Sequence, residues 1–191
     1  SLVAGDPFFS PTTGCNDPDG VEPLEEAVCT VAADALVVVA AGNASDLAEA
    51  YIPARYRAVL TVSALTDYDG LPGGLAGASC VVPGGSSPDD TFAPYSNFGP
   101  EVDLIAPGSC IVSTDRFSAG GSAVLNGTSM ATPHVTGAAA RYLHAHPGAG
   151  PDEVRQRLIR SAGYDWKVAS DPDDDPADID RLVDVTSLLA G

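Results

Sequence analysis

The sequence predicts an α/β domain built on a parallel sheet with crossover helices. Residues 22–34 repeat apolar side chains at helical spacing, and Leu36-Val-Val-Val-Ala-Ala41 follows with no polar alternation. A short β-branched run of that kind is the pattern of a strand covered on both faces. A helix leading into such a strand is the repeating unit of a parallel sheet. Ala58-Val-Leu-Thr-Val-Ser-Ala64 is a second buried run.

Residues 5–20 are rich in Gly, Pro, Asp and Thr and read as a loop. In the helix Glu22–Asp34, Leu24, Val28 and Val31 form the apolar stripe, with Ala27, Ala32 and Ala35 filling in. Pro23 suits a first-turn position, and Glu22, Glu25 and Glu26 suit the positive end of the helix dipole. The strand that follows ends at Ala40-Ala41-Gly42-Asn43. In open α/β sheets ligand chemistry gathers at the carboxyl ends of strands. Asn43 is therefore placed where a side-chain amide can reach out of the sheet edge. A simple turn asparagine after glycine is the alternative.

Tyr51-Ile-Pro-Ala-Arg-Tyr56 precedes the second strand. Residues 67–93 are crowded with Gly, Pro, Ser and Asp and read as a surface loop. Tyr95-Ser-Asn-Phe-Gly-Pro100 is a turn and Val102-Asp-Leu-Ile105 a short strand. Ala106-Pro-Gly108 and Ile111-Val-Ser-Thr114 follow.

The run Asn126-Gly-Thr-Ser129 continues through small and apolar residues to Leu143, with Pro133 expected in the first helical turn. Gly137 and Ala138 to Ala140 permit close backbone approach. This is a buried helix with a serine at its N-terminus, where unpaired N–H groups and the dipole stabilise a developing anion. A nucleophile benefits from that position; a plain N-cap is the alternative for Ser129. Pro151–Ala162 is an amphipathic helix with Val154, Leu158 and Ile159 on one face. Asp171–Asp180 holds six aspartates in ten residues. It matches no EF-hand spacing and reads as a solvated loop. There are no internal repeats.

The 191 residues, 45% of them hydrophobic, suit one globular domain. No apolar run approaches the ~20 residues of a membrane span. Acidic residues number 26 against nine basic ones, and the net charge of -17 argues against nucleic-acid binding. A solvated acidic surface accounts for it; attraction of basic substrates is the alternative. Ser1-Leu-Val-Ala-Gly-Asp-Pro7 is neither an initiator start nor a signal peptide, so the chain reads as beginning mid-protein.

Cys15, Cys29, Cys80 and Cys110 form no Cys-x-x-Cys pair, which argues against zinc. An even count suits two disulfides and an oxidising compartment. Four cysteines allow three pairings; Cys15–Cys29 and Cys80–Cys110 are favoured, each tying a loop to a regular element. Four reduced cysteines are the alternative.

Gly127-Thr-Ser-Met-Ala-Thr-Pro-His-Val135 resembles the nucleophile motif of the subtilisin-like serine peptidases. It is not the Gly-x-Ser-x-Gly elbow, because Ala131 stands at the fifth position. Val37-Val-Val-Ala-Ala-Gly-Asn43 resembles the segment that carries that family's oxyanion-hole asparagine. The resemblance implies a three-layer, doubly wound, mostly parallel sheet whose N-terminal part lies outside this chain. It covers nearly the whole chain as part of one catalytic domain, with residues 67–93 as an insertion relative to shorter members. It further implies that Ser1 and Leu2 line the substrate cleft by strand addition, although Val3 and Ala4 stand where the family has glycine. Ala40, Ala41 and Gly42 are implied as part of the pocket for the residue before the cut bond. Arg181–Val185 is implied as the closing strand.

In that family a serine attacks the peptide carbonyl, a histidine takes its proton, and an aspartate orients the histidine. Asn43 and the N–H of Ser129 are implied as the oxyanion hole. The family's chain order is Asp, His, Ser, so both partners are expected upstream of residue 1. His134 follows Ser129 by five residues on one helix and points elsewhere; His144 and His146 sit near the helix C-terminus. None suits a general base. The expected function is a secreted or extracytoplasmic serine endopeptidase with peptide or protein substrates and no cofactor. A non-catalytic binding relative is the alternative. The family's Tyr-Pro-containing loop holds a cation on backbone carbonyls in some members, but no metal is assigned here. The glycosylation patterns Asn43-Ala-Ser45 and Asn126-Gly-Thr128 fall on site positions and are read as coincidental.

Overall fold

The computed structural model describes Cys15, residues 22–172 and residues 179–189. Ser1, Leu2 and most of the loop at 5–20 lie outside the described residues, as does the centre of the aspartate-rich segment.

Helix α1 spans Pro23–Ala32 and strand β1 spans Val38–Ala40. Strand β2, Leu60–Thr66, is buried throughout and forms the centre of the sheet. It pairs in parallel with β1 on one side and with β4, Leu104–Pro107, on the other. The two-residue β3, Thr91–Phe92, adds antiparallel to the end of β2. Beyond β4, Leu182 bridges in parallel to Ile105 and antiparallel to Gly163. The mixed sheet is thus mostly parallel, as expected.

The alternation along β2 explains how one strand serves two faces. Leu60, Val62 and Ala64 enter the main core with Val135, Ala138 and Tyr142 of helix α2 (Thr128–Ala145) and Val154 and Leu158 of helix α3 (Pro151–Ser161). The intervening Leu65 packs with Phe92, Ile105 and Trp166. The polar side chains on that second face are satisfied. Thr61 Oγ1 donates to the Ala54 carbonyl at 2.7 Å and Ser63 Oγ donates to Asp180.

Several expectations change. The connections β1 to β2 and β2 to β4 contain no α-helix; the first holds a single 3₁₀ turn, Ala48–Ala50, and the second holds β3. β1 is half-buried rather than enclosed, because no described strand pairs with its outer edge. Pro133 lies in the second turn of α2, because the helix starts at Thr128. Ile111–Thr114 and Ser122–Leu125 form an antiparallel hairpin, β5–β6. The chain does not continue as a strand to Val185, where the short helix α4 (Val185–Leu188) begins. Asp184 caps it by accepting the Thr186 and Ser187 N–H groups at 2.8 and 3.1 Å.

Both favoured disulfides are present, Cys15–Cys29 and Cys80–Cys110. The segment 67–93 is exposed over much of its length, but it anchors at Val82, Ser87, Asp89 and Asp90, all buried. Lys167 donates from Nζ to the Asp89 carbonyl at 2.9 Å and so ties this segment to the turn after α3.

Candidate active site

Gly127 is the N-cap of α2, with φ +154°, a conformation that disfavours any side chain. Its N–H donates to the Gly108 carbonyl at 2.9 Å and to the Tyr95 hydroxyl at 3.1 Å. Thr128 is the first helical residue and is fully buried, and Ser129 follows in the first turn, exposed. Ser129 is therefore not the N-cap. Its N–H belongs to the first turn, where helix N–H groups lack intrahelical acceptors, and no acidic residue occupies that turn.

Asn43 approaches this helix end from the carboxyl end of β1. Its Oδ1 accepts the Thr128 N–H at 2.8 Å and the Thr128 hydroxyl at 3.1 Å. A backbone N–H only donates, so the amide orientation follows from the contact: oxygen on Thr128, NH₂ away from it. Thr128 Oγ1 in turn accepts the Gly42 N–H at 3.2 Å. The exposed Asn43 is thus held against the turn that carries the exposed Ser129. A neutral amide donor stands beside a helix N-terminus, an arrangement that stabilises negative charge on a nearby oxygen.

Ala40 and Ser129 line one open groove of about 630 Å³ with Val38, Thr132, Pro133 and Gly137. Ala41 instead turns its side chain into a small cluster with Ala48, Ala54 and Val102. The exposed His134 uses Nδ1 on the Met130 carbonyl at 2.9 Å, within its own helix. His146 stacks on Tyr142 with ring centroids 4.3 Å apart.

Asn126 braces the same turn from the far side. Its Oδ1 accepts the Cys110 N–H at 2.8 Å and its Nδ2 donates to the Val81 carbonyl at 3.2 Å. The Cys80–Cys110 disulfide therefore lies against Asn126, at the entry to α2. Among the described residues, Asp67, Asp69 and Asp89 bring carboxylate oxygens within 4.8 Å of one another. Each already accepts loop N–H groups, which accounts for the cluster as loop scaffolding. Burial raises the pKa of Asp67 above the ordinary carboxylate range.

The Subtilase family model matches residues 11–183. The chain belongs to the subtilase family. It is 42% identical over 123 residues to the "Extracellular serine proteinase" of Thermus sp. (strain Rt41A), covering 64% of this chain and 25% of that protein. It is 40% identical over 124 residues to the "Subtilisin-like serine protease Pen ch 13" of Penicillium rubens, covering 65% and 25%. This subtilase chain thus spans about a quarter of the length of these relatives in the matched region. Among solved structures, a cold adapted subtilisin-like serine proteinase superposes with TM-score 0.61 and 30% identity, covering 85% of this chain and 50% of that one. A protease of Pseudoalteromonas arctica PAMC 21717 superposes with TM-score 0.65 and 25% identity, covering 87% and 45%.

Thr128, Asn97 and Tyr95 bond to the loop of Asn43 or to the start of α2, and sequence reasoning did not single them out. Their residue types carry no signal; they matter through bonds to segments 85, 53 and 32 residues away.

Proposed function

We propose that this subtilase chain is the C-terminal part of the catalytic domain of a secreted or extracytoplasmic serine endopeptidase, acting on peptide or protein substrates. In this reading Ser129 is the nucleophile. Its Oγ attacks the scissile carbonyl and passes its proton to a histidine, and the acyl-enzyme is then hydrolysed by water. The Asn43 NH₂ and the Ser129 N–H hold the oxyanion. The observation that carries the reading is the pair of Thr128 bonds to Asn43 Oδ1, which leaves the amide NH₂ as the available donor beside Ser129. Ala40 and Gly42 contribute to the pocket for the residue before the cut bond, together with the backbone of Ala41. Ser1 and Leu2, outside the described residues, are assigned to the cleft wall by the family resemblance alone.

The histidine and its aspartate are assigned to a segment upstream of residue 1. The open groove beside Ser129, and an outer edge of β1 that no described strand pairs, suit docking of that segment. The engagement of His134 and His146 within their own helix favours a base from outside the chain, and it equally suits a non-catalytic binding relative. An upstream Asp-Thr/Ser-Gly segment and a His-Gly-Thr-like segment would separate the two. The direct test is fluorophosphonate labelling of the full-length protein, expected at Ser129 and lost in Ser129→Ala. Labelling that persists in that variant overturns the assignment.

A further inference from the structure

We propose that Asn97, in the turn before β4, is the positioning residue for the Asn43 amide. The inference rests on the reading of Asn43 as an oxyanion donor and adds the residue that holds it. Asn97 is fully buried, and its side chain binds the main chain on both sides of Asn43. Nδ2 donates to the Ala41 carbonyl at 3.0 Å. Oδ1 accepts the Ala44 N–H at 2.8 Å and the Asp46 N–H at 3.3 Å. The Asn97 N–H donates to the Gly42 carbonyl at 2.9 Å. Buried amides require such partners, and here every one belongs to the loop that carries Asn43.

The fit is tight. Gly42 has φ +111°, and a Cβ built there would lie 2.4 Å from Asn97 Nδ2. Glycine at 42 is what lets the loop close onto this amide. Asn43 is then suspended between two anchors: Asn97 holds the backbone at 41, 42 and 44, and Thr128 holds Oδ1. The position of the Asn43 NH₂ follows from both. Loss of the Asn97 side-chain donor releases the Ala41 carbonyl, while the Oδ1 bonds to Ala44 and Asp46, the Asn97 N–H bond to Gly42 and the Thr128 anchor remain.

The isosteric Asn97→Asp in the full-length enzyme is the test. An ionised carboxylate cannot donate to the Ala41 carbonyl and repels it; the protonated acid can donate. Misplacing a catalytic group by about 1 Å costs on the order of 100-fold. We therefore expect turnover at pH 8 to fall by about 10- to 100-fold, with KM little changed. The deficit relative to unaltered enzyme should shrink as pH is lowered and the carboxyl protonates. In an Asn43→Ala background the Asn97→Asp change should cost little further turnover, because both act on one donor. Equal losses in the two backgrounds, or no loss at all, overturn the proposal. Asn97→Ser is judged by the same cycle if the aspartate variant does not fold. An Asn43→Ala variant with unchanged turnover removes the oxyanion reading itself, whereas a silent Asn97 beside a damaging Asn43→Ala removes only this inference.

Discussion

Arg155 of α3 donates from Nη2 to Asp103 Oδ1 at 2.6 Å, with both side chains largely buried at 6% and 12% exposure. Arg155 Nη1 also donates to the Val59 carbonyl, and Asp103 Oδ2 accepts the Thr61 N–H at 2.8 Å. One ion pair thus ties α3 to the starts of β2 and β4. Burial pushes the Asp103 carboxyl up, against the downward pull of Arg155 and of the Thr61 N–H. Removing either partner leaves a buried charge exposed to its own desolvation cost, about 3–5 kcal/mol. Asp103→Ala and Arg155→Ala should each lose stability on that scale in urea unfolding. Replacing both with apolar residues should cost less than the sum.

Asn43→Ala should lower turnover of the full-length protein by about 10²–10³-fold, a magnitude carried over from subtilisin itself. Its stability should fall by no more than about 1–3 kcal/mol, the cost of taking the acceptor from the buried Thr128 N–H, because Asn43 itself is exposed and Thr128 Oγ1 keeps its bond from Gly42. Unchanged kcat would remove Asn43 from the mechanism.

The two disulfides close sequence separations of 14 and 30 residues. Loop-closure entropy assigns them about 3 and about 4 kcal/mol. The bond at Cys80–Cys110 has a second consequence, because Asn126 binds the Cys110 N–H and the Val81 carbonyl. Cys80→Ser with Cys110→Ser should therefore slow probe labelling of Ser129 as well as lower stability. Cys15→Ser with Cys29→Ser should leave labelling unchanged in protein that remains folded.

Asp184 has its carboxyl held below the usual range, chiefly by the Ser187 hydroxyl and then by the N–H groups it caps. A depressed folded pKa means that the stabilisation is present above the unfolded value, about 3.9, and is lost as pH falls through the folded one. Amide exchange at Thr186 and Ser187 should accelerate below about pH 4. In Asp184→Asn that pH dependence should vanish.

The 191 residues alone should show no casein hydrolysis above a Ser129→Ala blank. An unassisted serine hydroxyl is a weak nucleophile. The exposed apolar groove, and an edge of β1 that no described strand pairs, should also make the isolated chain prone to association. An upstream segment supplied as a fusion or in trans should restore both solubility and labelling. Turnover by the chain alone would point to His134 as a base.

The sequence by itself determined the elements whose burial is periodic and local. Helix α1, the unbroken apolar runs of β1 and β2, the small-residue helix after Gly127 and the amphipathic α3 are legible within their own windows, although Leu24 and Val31 of the expected α1 stripe stand exposed and Ala32 is the buried residue of that helix. Ser129 and Asn43 stood out as candidates because whole motifs surround them. Tertiary structure alone decided what lies between. The β5–β6 hairpin exposes Val112 and Val124, so its sequence lacks the alternation of a half-buried sheet. β3 is too short to show a period, and Asp184 turns the chain into α4 where a strand was expected. The brackets on Asn43 are bonds from Thr128 and Asn97 to peptide groups far away in the chain. No local pattern records them, because a side-chain amide or hydroxyl gains such partners only after distant loops have closed.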